Sequence, residues 1–314
     1  MAGERPGTDR LARAALLAAL VSVALQCIGP IFVRKAGFSG LVFAFHRMWI
    51  AAFVYLAVSK ACGAWPSWHA IRVSAPGGIW FAFNVATFFV AVHHTTIANA
   101  MVIGALQPVT LMLLSSRLFG EHVRRADLAL TAVAIAGVAV VVFARGTDGS
   151  GGRFGDALAF CSMLGYAAYY VSSKKARTTL GTLEYQTSLT LVAVAVLGIV
   201  MVASRQDLSA PRTSSWGWAL AMVALPGSGH LLTNFAHAHV RLGVLGVLTL
   251  FSPVGSVFLA WLLLDEGLNG WQLIGMAVVI GSLAVIVAAS TRRSPQPKGS
   301  TPDLEQSTTE AVAD

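Results

Sequence analysis

Arg47 is the one charged residue deep inside a long apolar stretch of this 314-residue chain, a stretch that runs from residue 36 to residue 59. An arginine at the centre of a membrane span costs at least about 2.5 kcal/mol, so Arg47 is predicted to face the protein interior and to have a partner there. A carboxylate on a small-molecule substrate is one candidate partner. Alternatively, the side chain snorkels outward or binds loop carbonyls, and then serves only to anchor its helix.

Uncharged polar residues recur at helical spacing in other apolar stretches. Asn84 and Thr87 lie three positions apart, and His230, Asn234 and His237 follow one another at spacings of four and three, so each set shares one helical face. Further donors and acceptors of this kind are Gln26, Asn99, Gln107 and Ser256. Together these side chains suit a polar or zwitterionic solute, although each one alone could simply hydrogen-bond a neighbouring helix.

Aromatic residues offer a second kind of contact. Tyr166 and Tyr170 lie four positions apart and are predicted to share a helical face. They could stack on a flat or apolar substrate. The alternative is the belt of Trp and Tyr side chains that membrane proteins carry where lipid meets water.

Titratable groups are scarce within the apolar stretches. All fourteen Asp and Glu residues lie in tails, loops or at the ends of these stretches, so the buried carboxylate that usually couples transport to protons is missing. Proton coupling through a histidine relay, simple exchange and facilitated diffusion all stay open. The eight histidines have no carboxylate or thiol at ligand spacing, so no metal site is predicted. No cofactor is predicted. Nothing indicates nucleotide hydrolysis, because the sequence has no Gly-rich phosphate loop ending in Lys-Ser or Lys-Thr.

Two prolines interrupt apolar stretches. Because proline lacks an N–H and collides with the carbonyl four residues earlier, Pro108 and Pro253 are predicted to kink their helices and to free the carbonyls of Gly104 and Thr249. A freed carbonyl could bind a donor on the substrate, or the kink could only shape a cavity.

Two glutamates, Glu121 and Glu266, each follow one of these prolines by thirteen residues. We predict that they cap helix ends and fix the turns that follow them, rather than bind substrate.

The composition explains why these residues stand out. Only 11% of residues are charged, against about 25% in an average soluble domain, while 56% are hydrophobic and the mean hydropathy is +0.69. Such a chain cannot cover its own surface with polar groups. This excludes a soluble enzyme, a disordered protein and a nucleic-acid binder, and predicts a protein that lies in the lipid bilayer.

Apolar stretches long enough to cross a bilayer predict ten transmembrane helices and an all-α fold, since about 20 residues span the hydrocarbon core. The stretch 73–116 must hold two helices that turn near His93 and His94, because it carries no charge over 44 positions. The other stretches are 14–33, 36–59, 128–144, 157–173, 185–204, 213–240, 242–264 and 267–291.

The positive charges predict the orientation. If both termini are cytoplasmic, fifteen Lys and Arg residues lie on the inside and six on the outside, the asymmetry typical of inner (plasma) membrane proteins. The predicted organisation is a cytoplasmic tail (1–10), a first five-helix repeat (11–145), an external linker (146–153), a second five-helix repeat (154–291) and a disordered cytoplasmic tail (292–314).

An internal repeat supports this division. Pro108-Val109 and Pro253-Val254 each follow a polar residue and stand thirteen residues before a glutamate, and the two copies are offset by 145 residues. Five predicted spans separate the copies. An odd number inserts the second copy from the opposite side, and inverted repeats of this kind are typical of secondary transporters, whose substrate site lies near the midplane.

These residues resemble the drug/metabolite transporter superfamily, specifically its ten-helix family with two EamA domains. The resemblance rests on FAFHRMWIAA around Arg47, on the two Pro-to-Glu patterns, on Gly155-Asp156 and on EGLNGWQLIGMAVVIGSLAVI. It implies a bacterial inner-membrane exporter or importer of amino acids, metabolites or toxic compounds, in which the first four helices of each half line a central cavity. The second half departs from the first, since it has no arginine that matches Arg47.

The predicted function is a secondary transporter that moves a small polar or amphipathic metabolite outward by alternating access. Its partners are the small-molecule substrate and the bilayer, and the chain acts as a monomer or a homodimer. A membrane scaffold or sensor without transport is the main alternative. An intramembrane enzyme on a lipid-borne substrate is disfavoured because the spans hold no catalytic constellation.

Overall fold

The computed structural model describes residues 6–95, 97–144, 152–210, 212–264 and 268–291, and these residues are predominantly helical. The helices are α1 (Pro6–Gln26), α2 (Gly29–Ala36), α3 (Gly40–Ala61), α4 (Trp68–His94), α5 (Ile97–Gly104), α6 (Gln107–Phe119), α7 (Arg125–Phe143), α8 (Arg153–Ala176), α9 (Thr182–Ser204), α10 (Ser214–Met222), α11 (Ser228–His237), α12 (Leu242–Leu248), α13 (Phe251–Leu264) and α14 (Gly270–Thr291). A π-helical turn, Val223–Gly227, joins α10 to α11. Glu266, most of the linker and the C-terminal tail lie outside the described residues.

Eight described segments are long and apolar enough to cross a membrane. They are Arg10–Val33, Gly40–Ala61, Trp68–Ala91, Val102–Phe119, Arg125–Phe143, Thr182–Ser204, Leu242–Leu263 and Gly270–Ala289. The chain is therefore a multi-pass membrane protein. Two further segments that the sequence marks as spans, α8 and α10–α11, are more polar, and they pack against α4 and α1 respectively.

Local signals in the sequence set several helix ends. Ser67 caps α4, since its hydroxyl accepts a hydrogen bond from the Ala70 amide at 3.0 Å. Asn269 and Gln272 cap α14 reciprocally: the Asn269 side chain accepts from the Gln272 amide at 2.9 Å, and the Gln272 side chain accepts from the Asn269 amide at 3.1 Å. Gly120 ends α6 with a φ of 62°, a conformation that glycine adopts without strain.

Besides the span in which a π-helical turn joins α10 to α11, three of the predicted spans are each built from two helices. The breaks fall between α1 and α2, between α5 and α6, and between α12 and α13. Pro108 stands in the first turn of α6, where its missing N–H leaves no hydrogen bond unmade. The prediction that Pro253 frees the Thr249 carbonyl is wrong, because that carbonyl accepts a hydrogen bond from the Ser252 amide at 3.0 Å in the turn between the helices.

The two halves pack against each other in a reciprocal pattern. Helix α4 lies on α8 and α1 lies on α11, while α3 packs on α9, α6 on α12 and α7 on α14. Glycines allow the closest approaches: a Cβ on Gly275 of α14 would lie 2.8 Å from the carbonyl oxygen of Gly137 on α7. The larger cluster of buried apolar residues lies where the halves meet. A second cluster, to which α7 and α14 contribute, lies beside it, and Phe251 packs against both.

Candidate functional site

A cavity of about 560 Å³ lies among α1, α2, α4, α5, α8 and the broken helices around Pro226 and Thr249. None of the described residues that line it comes from α7 or α14, the last helix of each half. Its walls are largely aromatic and aliphatic, and Phe38, Phe81, Phe88 and Phe89 contribute rings. Such a volume suits a small molecule. Polar side chains on the wall include Gln26, Arg47, Asn84, Gln107, His230 and Ser256.

Arg47 reaches this cavity from the first half of α3. The residue is only 7% exposed, and its guanidinium carbon lies 6.0 Å from the centre of the Phe81 ring. No described residue forms a hydrogen bond or an ion pair with it, although a guanidinium carries five N–H donors. A buried cation without an acceptor is costly. The wall therefore presents a cation that an anion in the cavity would neutralise.

Two more buried polar groups at the wall have no hydrogen-bond partner among the described residues. They are Nε2 of Gln107, at the start of α6, and Nδ1 of His230, on α11. The His230 ring contacts the edge of Phe81, with 4.9 Å between ring centres. Since unpartnered buried groups are costly in a native protein, Gln107 and His230 are placed to bind a polar part of a solute or an ordered water.

Other predicted binding residues line the cavity but already have partners. The Asn84 amide donates to the carbonyl and hydroxyl of Ser162 at 3.0 and 2.8 Å, which ties α4 to α8. Ser256 donates to the Cys27 carbonyl at 2.9 Å, and the Gln26 amide donates to Ser22 of its own helix at 2.8 Å and to Thr233 of α11 at 3.5 Å. These side chains shape the wall and form hydrogen bonds between helices. The sequence allowed this role as the alternative to binding a solute.

Tyr166 and Tyr170 both line the cavity, on one face of α8. The Tyr166 ring stacks on Tyr169, with 5.5 Å between ring centres and an angle of 19°. Tyr170 is 2% exposed and Tyr169 is fully buried, so these rings do not form an interfacial belt. From this interior position, rings that line the cavity could stack on a flat solute.

Some predicted residues do not reach the cavity. Thr87 donates to the Phe83 carbonyl of its own helix at 2.7 Å, and Asn234 is fully buried behind the wall, where it accepts from Tyr169 at 2.9 Å. The side chain of Asn99 lies outside the part of the chain that the structure describes. Pro253 lines the cavity, whereas Pro108 is not among the lining residues.

The sequence interpretation missed Phe81 and Ser162. Phe81, Asn84, Val85 and Phe88 all line the cavity and follow the i, i+3, i+4, i+7 pattern of one helical face. Extending the face that Asn84 defines by one turn would have found Phe81. Ser162 had no such signal, because its role comes from the contact between α8 and α4.

Glu121 lies outside the spans and connects the two halves. It receives a hydrogen bond from Lys174 and accepts from the amides of Leu242 and Gly243 at 3.0 and 3.3 Å, so it caps α12 of the other half and not the turn that follows it. Burial acts to raise the pKa of Glu121, but these hydrogen bonds outweigh it and hold the pKa below its ordinary value. The nearby Arg241 guanidinium also donates to the His122 carbonyl.

Replacing Glu121 by glutamine is expected to lower the free energy of unfolding by about 1–2 kcal/mol at pH 7, because charge-assisted hydrogen bonds are lost. Since the folded state lowers the pKa, this stabilisation is present above the ordinary glutamate pKa of about 4.3 and is lost as the pH falls through the lower folded-state pKa. Melting curves of the purified protein at pH 7 and below pH 4 measure the difference. Glu184→Gln is the control, as its hydrogen bond with Ser67 is exposed; a Glu121 variant that melts like wild type at pH 7 would contradict the role.

No metal centre accompanies this site in the described ranges, where no three His, Cys, Asp or Glu side chains come together in a ligand arrangement. The described wall of the cavity offers a guanidinium, an amide, an imidazole and aromatic rings for binding.

The fold and the cavity define a multi-pass α-helical membrane protein with a solute-sized interior site. The model of the EamA-like transporter family matches residues 13–143 and 153–288, and the chain belongs to that family of membrane transporters. This confirms the family to which the sequence was likened. A solved structure titled "Crystal structure of protein" superposes on this chain with a TM-score of 0.74 and 22% sequence identity. The match covers 89% of this chain and 99% of the other, which shows that the two share a fold. No curated protein matches the sequence.

Proposed function

We propose that the protein is a secondary transporter for a small amphipathic solute that carries a carboxylate, such as an amino-acid-like metabolite. Arg47 carries this proposal, since it is buried at the cavity wall without an acceptor among the described residues. Bidentate hydrogen bonding makes a carboxylate the natural ligand of a guanidinium. Gln107 and His230 offer further polar contacts, while Tyr166, Tyr170 and the phenylalanines suit the apolar or flat body of the solute.

The transport mechanism that we propose is alternating access between two inverted five-helix repeats, 11–145 and 154–291. The packing of α1 on α11 and of α4 on α8 supports it. In the order of the two repeats, α1 corresponds to α8 and α4 corresponds to the α10–α11 segment. A two-fold relation between the halves therefore requires each of these two contacts to accompany the other. On this arrangement α8 and α10–α11 are the two remaining spans. Their polar side chains are tolerated because they pack against protein and line the cavity.

We further propose a bacterial inner-membrane location, cytoplasmic termini and outward transport of the solute down its own concentration gradient. The distribution of Lys and Arg supports this orientation. The cavity lies toward the ends of α4 and α8 that meet where the Gly152 amide donates to the His94 carbonyl at 3.2 Å, whereas the Glu121–Lys174 contact joins the halves at the opposite end. On the proposed orientation, this cavity would lie on the outer side of the membrane. Cysteine labelling from each face tests the inversion, which fails if residues 117–125 and 265–270 prove to lie on one side.

Flux into proteoliposomes tests the function. We expect saturable uptake of at least one solute from a panel of labelled amino acids, dicarboxylates and cationic drugs, with carboxylates transported and their amides not transported. Empty liposomes provide the background. A folded protein that moves none of these solutes would favour the scaffold or sensor alternative, and transport of the amides at equal rates would refute the carboxylate site.

A further inference from the structure

His230 is the histidine that lines the cavity beside Arg47. Both residues border the main cavity and also a small side pocket of about 10 Å³. Both residues contact the Phe81 ring. The distance from the centre of this ring is 6.0 Å to the Arg47 guanidinium carbon and 4.9 Å to the centre of the His230 ring. His230 is 9% exposed, and its Nδ1 has no partner among the described residues.

Few other groups near His230 can exchange a proton close to neutral pH. Helix α1 contacts α11 through Ser22 and Gln26, and α12 presents only aliphatic residues and glycine. Tyrosine hydroxyls titrate near 10 in their ordinary state, so they stay protonated. Among the described residues, the charged or titratable side chains that come near α11 from neighbouring elements include Arg47, Tyr55, Tyr166, Tyr169, Tyr170, Lys174, Arg177 and Tyr185, and α11 itself carries His237.

We propose that His230 is a proton site coupled to the solute site, so that a carboxylate at Arg47 and a proton at His230 bind together. The inference rests on the proposed function. Without an anion, burial of His230 in a low-dielectric site and the electrostatic field of Arg47 both oppose a second positive charge on the same wall. A bound carboxylate cancels that field, and Nδ1 of His230 then takes a proton from water to give an imidazolium. The coupling is reciprocal, so the proton also tightens carboxylate binding, and it leaves when the carboxylate leaves.

Calorimetric titration of the purified protein with phenylacetate, between pH 6 and pH 8, tests this coupling. The probe remains ionised throughout this range, so any proton taken up on binding goes to the protein. Repeating each titration in two buffers of different ionisation enthalpy counts the protons. We expect uptake approaching one proton per bound phenylacetate in part of the range, and a Kd that rises by up to tenfold per pH unit as pH increases.

His230→Asn is expected to bind phenylacetate with a Kd that does not change with pH, and His230→Gln is the second variant in case the first does not fold. His239→Asn is the matched control, because His239 follows α11 and contacts Phe235 away from the cavity; it should keep the wild-type pH dependence. A pH dependence that survives in both His230 variants would overturn the assignment, and its loss in His237→Asn would place the proton on His237 instead.

The two levels of the argument fail separately. Binding by the wild type without proton uptake, at a constant Kd, would overturn the coupling and leave the proposed carboxylate transport standing. If phenylacetate, benzoate and phenylalanine all fail to bind anywhere in this pH range, the carboxylate site itself is wrong, and the coupling is overturned with it.

Discussion

Arg47→Gln is expected to weaken phenylacetate binding at least about 30-fold, because removing one partner of a buried hydrogen-bonded charge pair costs roughly 2–5 kcal/mol. Glutamine is shorter and uncharged, so it keeps a polar group at the wall but removes the cation. Transport of carboxylate solutes should fall in parallel, while insertion and folding remain normal, since no described residue depends on a hydrogen bond from Arg47. Calorimetry gives the Kd, and proteoliposome flux gives the transport rate.

Two controls make the Arg47 result specific. Arg153→Gln removes an exposed arginine at the start of α8 and should change neither quantity. Arg47→Lys retains the charge but not the two parallel hydrogen bonds, so its Kd should fall between those of wild type and the glutamine variant. Wild-type kinetics in Arg47→Gln would reject the binding role and favour the helix-anchoring interpretation that the sequence also allowed.

Gly275→Leu is the second change with a large expected effect, and it acts on stability. A Cβ at Gly275 would lie 2.8 Å from the Gly137 carbonyl oxygen and 3.0 Å from the Val141 amide nitrogen, and these backbone atoms cannot move aside without separating α14 from α7. Overpacking of this kind costs roughly 1–3 kcal/mol or more. We expect the melting temperature of the purified protein to fall by several degrees.

The same helix offers the matched control. A Cβ at Gly281 would meet nothing within 4 Å, so Gly281→Leu should melt close to wild type. Because α7 and α14 contribute no described residue to the cavity wall, the Gly275 variant should bind phenylacetate normally below its melting temperature. Equal melting temperatures for the two leucine variants would show that α7 and α14 do not pack as closely as the structure has them.

Much of the architecture could be predicted because lipid imposes one-dimensional rules. Charge-free stretches of about 20 residues mark spans wherever a helix faces lipid, and eight of the ten predicted spans satisfy this criterion in the described residues. The other two predicted spans, α8 and α10–α11, do not satisfy it. Their polar residues lie on helices that pack against α4 and α1, and hydropathy carries no information about such neighbours.

The site divides in the same way. The sequence by itself determined that Arg47 must face the interior and that Asn84, Tyr166, Tyr170 and His230 lie on polar or aromatic helical faces, because burial of such groups in lipid is too costly. Only the tertiary structure decided which of these faces meets the cavity and which meets another helix. Asn234 and His230 share one face of α11, yet Asn234 is fully buried behind the wall and His230 lines the cavity, since helix packing depends on contacts between residues far apart in the chain. For the same reason, the capping of α12 by Glu121, more than 100 residues earlier, could be read only from the folded protein.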